Sequence, residues 1–189
     1  FARHGPAAVV FKDKLYVIGG EGPGNCSFPR TVWRFDGNQW ELITNSAPFP
    51  GRDWHTATVF NDRIWVIGGI YRDGACSAAS LTYYSDIWSS ADGSSWQLEG
   101  ENIFPARGGH TTMAYDGKLW VIGGTNAWPA ATHSDVWFTS DGRNWCKATE
   151  SIDFSNRYGL TSASFRDRMW VIGGNDITSG YRNDLWTSQ

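Results

Sequence analysis

The sequence is poor in several things, and each shortage excludes something. Only 3 cysteines occur in 189 residues, too few for the disulfide framework of a small secreted scaffold, and none has the spacing of a zinc site. Charged residues make up 19% and the net charge is −3. That balance leaves no basic footprint for nucleic acid. No apolar run approaches the roughly 20 residues that span a bilayer as a helix. No segment has convincing helical periodicity. No signal peptide opens the chain, but it starts at Phe1 rather than Met. The compartment therefore stays open.

What is plentiful is tryptophan, 12 residues, and glycine, 22 residues. Both fall into a repeat. Glycine pairs begin at Gly19, Gly68, Gly123 and Gly173, spaced by about 50 residues, a period that signals a repeat architecture. Each pair ends a phrase such as "LYVIGG" or "IWVIGG", with Tyr16, Trp65, Trp120 and Trp170 in one aromatic slot. Thirteen residues before each aromatic stands Arg3, Arg52, Arg107 or Arg157. Beyond the glycines an apolar-Trp phrase carries Trp33, Trp88, Trp137 and Trp186, preceded in the last three copies by Asp86, Asp135 and Asp184. An Asp-Gly pair then stands three residues before Trp40, Trp96 and Trp145.

Each unit reads as four short strands. "HTATVF" alternates, and "IWVIGG" is rich in β-formers. The latter run is apolar on both faces, so both should be covered. A loop follows the glycines, then "DIWSS" as the third strand. Asp-Gly, which tolerates positive φ, turns the chain into the fourth, "SWQLEG". A sheet covered on both faces needs copies of itself on either side. Stacking such sheets around an axis gives a β-propeller. The expectation is an all-β chain, residues 1–189 forming one unit of four-stranded antiparallel blades. The repeats span about 1–48, 49–103, 104–153 and 154–189, the last lacking its outer strand.

These residues resemble the kelch repeat: an arginine at the head of the first strand, Gly-Gly closing the second, aromatics in the third and fourth. The Asp-Gly turns of "SADGSSW" and "TSDGRNW" also look like shortened sialidase Asp-boxes, but the glycine pairs favour kelch. The resemblance implies six or seven blades, so four copies read as a fragment of a larger ring. A closed four-bladed ring and two associated half-rings are the alternatives. An open arc would expose apolar end faces, the mark of an association surface. Kelch propellers mostly bind proteins or peptides, and a minority are enzymes, including galactose oxidase and a sialic acid mutarotase. Fold alone does not decide between them.

Ten tryptophans fill repeating slots and are assigned to packing. Trp54 and Trp128 fit none. In an antiparallel blade the loop into strand one and the loop after Gly-Gly emerge on the same rim. Both extra tryptophans therefore belong to one face of neighbouring blades, as loop packing or as a stacking platform for a sugar or an aromatic side chain. The recurring arginines suit Arg–Asp pairs in repeats two to four. Thr31 replaces the aspartate in repeat one, which leaves Arg3 without that partner. In kelch binding modules ligand-facing residues come from the same places. The resemblance therefore nominates Arg52, Trp54, His55, Arg107, His110, Arg157 and Tyr158, then Tyr71, Asn126, Asn175 and, in the same loop, Trp128.

His55 and His110 are matched by Pro6 and Leu160, so the repeat builds no histidine ring for a metal. The copper ligands of galactose oxidase cannot be traced here. No Ser/His/Asp set, paired-carboxylate motif or phosphate loop is recognisable, and no cofactor is implied. Cys26 and Cys76 follow their glycine pairs by six and seven residues, which allows a bridge or two free thiols, the thiols being preferred. Cys146, beside Trp145, is expected to be a small buried apolar group. Asn25-Cys26-Ser27 is formally a glycosylation sequon. The function expected is a non-catalytic module binding a protein, peptide or acidic carbohydrate on one rim. The alternative is a mutarotase- or epimerase-like sugar enzyme using His55 or His110 as acid–base near neutral pH.

Overall fold

The computed structural model describes residues 2–24, 26–73, 80–128, 130–149 and 152–188. These form antiparallel sheets, and no helix occurs among the described residues. In repeat one, β1 (Ala7–Phe11), β2 (Lys14–Ile18), β3 (Val32–Phe35) and β4 (Trp40–Thr44) lie in the sheet order β1-β2-β3-β4. In repeat two, β5 (Thr56–Phe60), β6 (Arg63–Arg72), β7 (Leu81–Ser90) and β8 (Gln97–Gly100) repeat that order. In repeat three, β9 (Thr111–Tyr115), β10 (Lys118–Ile122), β13 (Val136–Thr139) and β14 (Trp145–Thr149) form the sheet. There β11 (Thr125–Ala127) and β12 (Ala131–Thr132) make a small ladder of their own. Repeat four has β15 (Thr161–Ser164), β16 (Met169–Ile172) and β19 (Leu185–Thr187), with a second ladder of β17 (Asn175–Asp176) and β18 (Gly180–Tyr181).

Four like blades thus stand side by side around a shared axis. The first strands lie innermost, β1 beside β5, β5 beside β9 and β9 beside β15. The apolar run of β6 is buried almost from end to end, because a neighbouring blade covers each face. Three apolar layers result. One holds Phe11, Tyr16, Ile18, Val32, Phe49, Ile64 and Val66. The next holds Phe60, Trp65, Ile67, Ile87, Phe104, Leu119 and Val121. The last holds Ile122, Val136, Phe154, Leu160 and Val171.

The glycine pair fastens each blade to the next. Gly68 has φ +56°, and a Cβ there would lie 2.6 Å from the Arg107 carbonyl oxygen. Gly69 N–H donates to that same carbonyl at 2.8 Å. Gly20 and Gly124 donate likewise to Arg52 and Arg157 at 2.9 and 3.0 Å. Such close backbone approach is available only without a side chain.

The Asp-Gly turns form by side-chain capture of backbone. One carboxylate oxygen of Asp36, Asp92 or Asp141 accepts the N–H groups two and three residues on, at 2.8–2.9 Å. This Asx geometry mimics a backbone turn.

Three local expectations are corrected. The segment after Gly-Gly is not a plain loop. In repeat two it prolongs the β6–β7 hairpin past a bulge at Ile67/Gly69, and in repeats three and four it forms the two small ladders. Cys146 is exposed, not buried, because it points outward from the outer strand. Cys26 is disulfide-bonded rather than a free thiol; Cys76 and Asn25 lie outside the described residues.

Candidate functional site

The rim geometry rests on one contact made four times. The residue after each arginine bridges to the residue after each glycine pair: His4 to Glu21, Asp53 to Ile70, Gly108 to Thr125, and Tyr158 to Asn175. The two loops of every blade therefore do share a rim. At the axis the next residues link blade to blade. Trp54 N–H donates to Gly5 at 3.3 Å, Gly109 to Trp54 at 2.9 Å, and Gly159 to Gly109 at 2.7 Å. A shallow depression of ≈260 Å³ lies over this relay, between Pro6, His55, His110 and Leu160.

Trp54 breaks the pattern. Its three equivalents are glycines with φ +58°, +63° and +65°, yet Trp54 itself holds φ +53°. A bulky residue in the left-handed region is a genuine outlier, and such strain concentrates at functional positions. Its ring lies over Tyr158, centroids 5.7 Å apart at 21°. Trp128 Nε1–H donates to Tyr158 Oη at 2.9 Å, and Trp128 backbone N–H donates to Tyr83 Oη at 2.8 Å. Trp54, Trp128 and Tyr158 come from three successive blades. With Asn175, Tyr181 and Arg182 they line a cleft of ≈440 Å³.

Of the nominated residues, Trp54, Trp128, Tyr158 and Asn175 come together in that cleft. Tyr71 stands apart, half-buried and edge-on to Phe28 at 5.4 Å. Asn126 is exposed on β11, away from the cleft lining. The three arginines are buried and spent on structure. Arg52 grips Asp86 with two bonds of 2.6 Å, and Arg107 grips Asp135 at 2.8 and 3.0 Å. Arg157 grips Asp184 in the same forked way. Each also donates to the carbonyl of its blade's first glycine, at 2.8 or 2.9 Å. All three guanidinium groups are buried, with their donors committed to these partners. In repeat one, Arg3 Nη2 donates to Thr31 Oγ1 at 3.3 Å, so the threonine hydroxyl stands in for the missing carboxylate.

The histidines are also interior. His55 Nε2 lies 3.1 Å from the Ile18 carbonyl oxygen, and His110 Nε2 lies 3.1 Å from Thr56 Oγ1. Burial, then the nearby Arg52 charge, pushes His55 down to about 3. Burial, then Arg107, pushes His110 well below its ordinary value. Both are held neutral at physiological pH by their burial between the blades.

Tyr181 and Arg182 went unrecognised in the sequence, because they lie in a stretch whose length differs between repeats and has no slot to compare. Tyr181 is 90% exposed at the mouth of the cleft. Arg182 Nη2 donates to Asp176 Oδ2 at 2.7 Å, while its Nε lacks a partner among the described residues. That bond, first, holds the Asp176 carboxyl far below the usual range. Among the described residues, one group could hold a metal ion: His4, Glu21 and Asp53. Arg72 Nη1 already sits 2.9 Å from Asp53 and 3.3 Å from Glu21, so a cation is in place there. Burial, opposed by Arg72, raises the Asp53 carboxyl.

A family model described as "Kelch motif" matches residues 2–46. Beta-scruin of Limulus polyphemus is 30% identical over 132 residues, which is 66% of this chain and 13% of scruin. Kelch domain-containing protein 3 of Homo sapiens is 29% identical over 134 residues, 67% of this chain and 35% of that protein. The chain thus spans about a third or less of these curated relatives. A solved structure titled "Structure of YjhT" superposes with a TM-score of 0.76 and 17% identity, over 97% of this chain and 66% of that one. At that identity the likeness concerns the fold alone.

Proposed function

The chain belongs to the kelch-repeat family, and from that premise we propose that residues 1–189 act as one binding module for a protein or peptide segment. The segment lies in the cleft of Trp54, Trp128, Tyr158, Asn175, Tyr181 and Arg182. The observation that carries this reading is the convergence of two tryptophans and a tyrosine from three blades, none of them required by the repeat. Aromatic faces of this kind stack against aromatic or extended apolar groups, each pair contributing about 0.5–1.5 kcal/mol beyond area burial. An acidic carbohydrate is the other ligand class the rim suits. Arg182 would be its anchor, but Asp176 already neutralises that charge, so the cleft favours stacking over carboxylate capture.

Trp54→Gly and Trp128→Ala test the reading. Glycine relieves the left-handed strain of about 1–2 kcal/mol and forfeits stacking of about 0.5–1.5 kcal/mol. The two nearly cancel, and the lost burial of the half-buried indole leaves a modest net fall in the urea midpoint with the protein still folded. Binding to an array of random peptides should drop at least tenfold in both variants, with no saturation by sialic acid in either the wild type or the variants. Wild-type peptide binding that survives both substitutions in folded protein would remove the cleft as the site. Saturation by sialic acid alone would move the reading to carbohydrate.

A further inference from the structure

Repeat one departs from the others at its aromatic slot. Trp65, Trp120 and Trp170 fill that slot in repeats two to four. Each indole N–H donates to the carbonyl five residues back, that of Phe60, Tyr115 or Phe165, at 2.8, 3.1 and 2.9 Å. Tyr16 stands there in repeat one. A phenol has no N–H to send to the Phe11 carbonyl, and its hydroxyl instead reaches the Asp92 carbonyl of the next blade at 3.5 Å. Beside the ring lies a pocket of ≈300 Å³ between blades one and two, lined by Phe11, Lys12, Lys14, Tyr16, Arg34 and Asp92. The β1–β2 and β7–β8 turns close it, so it opens on the rim opposite the aromatic cleft.

Positive charge surrounds this slot. Register pairs Tyr16 with Arg34 across β2 and β3, and Lys14 stands two residues before Tyr16. All three side chains therefore leave the sheet on the face that blade two covers. In repeats two and three the residue paired with the tryptophan is Ser89 or Phe138, and the position of Lys12 holds Asn61 or Asp116. Arg34 is paired with Glu41 at the outer margin, and Lys12 lies 3.5 Å from Asp62. Lys14 has no carboxylate within ion-pair distance among the described residues and attracts Asp36 only at longer range. The carboxylate in the lining, Asp92, spends one oxygen on the N–H groups of Ser94 and Ser95, both at 2.8 Å.

We propose that this pocket binds an aromatic ring bearing a tetrahedral oxyanion, the chemistry shared by aryl phosphate and aryl sulfate esters. The ring lies against Phe11 and Tyr16, beside the slot that an indole fills in the other repeats. The oxyanion takes the Lys14 ammonium, with Lys12 and Arg34 next to it, in charge-assisted bonds. Lys12 Nζ already stands 4.7 Å from the centre of the Phe11 ring, so cation and aromatic wall lie within the span of one such ligand. A bare anion would forgo the ring contact, and a neutral ring would leave Lys14 unpaired.

The probe is phenyl phosphate, titrated into the 189-residue protein by isothermal titration calorimetry, with phenyl sulfate and inorganic phosphate in parallel. Saturable binding of at least one ester is expected, and the tighter of the two identifies the oxyanion. Inorganic phosphate should bind at least tenfold more weakly. Lys14→Gln should weaken ester binding at least tenfold, and the partly exposed, unpaired Lys14 can change without loss of the fold. Tyr16→Trp should weaken it similarly by filling the pocket. Gly93 faces this slot as Gly142 faces Trp65, so the blade admits an indole there. If circular dichroism shows that this variant fails to fold, Lys14→Gln carries the test. Absence of saturable binding by either ester overturns the proposal, as does wild-type affinity in Lys14→Gln or in folded Tyr16→Trp. Equal binding of inorganic phosphate also overturns it, since the pocket would then hold an adventitious ion only.

Discussion

His55 and His110 carry the sharpest consequence of single residues. Each is an uncharged imidazole sealed between blades, with Nδ1 unpartnered among the described residues. His55 is held at about 3 in the fold, against an ordinary value of 6.5. Below that ordinary value the unfolded chain takes up a proton that the folded chain refuses, so stability falls as pH drops from about 6.5 toward 3. The slope is about 1.4 kcal/mol per pH unit for each such group. His110 acts in the same direction. At lower pH Asp184, held at about 2 chiefly by its bonds to Arg157 and the Trp186 indole, adds loss as it protonates. Asp53 opposes the trend, since its raised carboxyl favours the folded state on acidification. Urea unfolding at pH 7 and pH 5 checks the balance. The wild type should lose stability on acidification, and His55→Gln should lose less, the remainder coming from His110 and from His133, which burial also lowers. Equal losses would mean that His55 is open to solvent.

At the scale of the element, the arginine clamp joins three parts of one blade. Arg107 holds the loop into β9 through Pro105, the end of β10 through Gly123, and the start of β13 through Asp135. The Trp137 indole caps the same carboxylate at 2.8 Å, which explains why the repeat spells Asp-apolar-Trp. Burial opposes ionisation of Asp135, and the Arg107 bonds overcome it, so its carboxyl is lowered. Asp135→Ala strands a guanidinium that is 0% exposed and should cost about 3–5 kcal/mol. The exposed pair Lys12–Asp62 serves as control, since such pairs contribute about 0–1 kcal/mol. Denaturant midpoints of Asp135→Ala and Lys12→Ala should separate accordingly. The clamp was legible in the spacing of Arg and Asp. The small ladders beyond the glycines were not, because their pairing follows from the bulge and from contact with the neighbouring rim.

Across the whole molecule, stability should be graded, because each blade buries its faces only against its neighbours. Blade two is sandwiched; Ile64, Val66, Ile67 and Ile87 are fully buried. The outer blades are not. Phe165 and Leu185 are each 57% exposed and Val10 is 66% exposed. Trp40 and Trp186, assigned to packing, are 43% and 37% exposed for the same reason. Native-state hydrogen exchange should find the slowest amides in β6 and β10 and the fastest among the paired strands in β15, β16 and β19. Uniform protection would mean that the blades open as one unit.

The sequence by itself determined the repeat, the four-stranded blade, the clamp and the shared rim, since each depends on short-range spacing that backbone geometry converts directly into position. It also singled out Trp54 and Trp128 as residues the repeat does not need. Only the tertiary structure decided which candidates face outward. Burial is settled by the neighbouring blade, which swallows Arg52, Arg107, His55 and His110 and leaves Trp54, Trp128 and Tyr158 at the surface. Tyr181 and Arg182 reach the cleft through the fold of a variable segment, and no periodicity within one chain encodes that meeting.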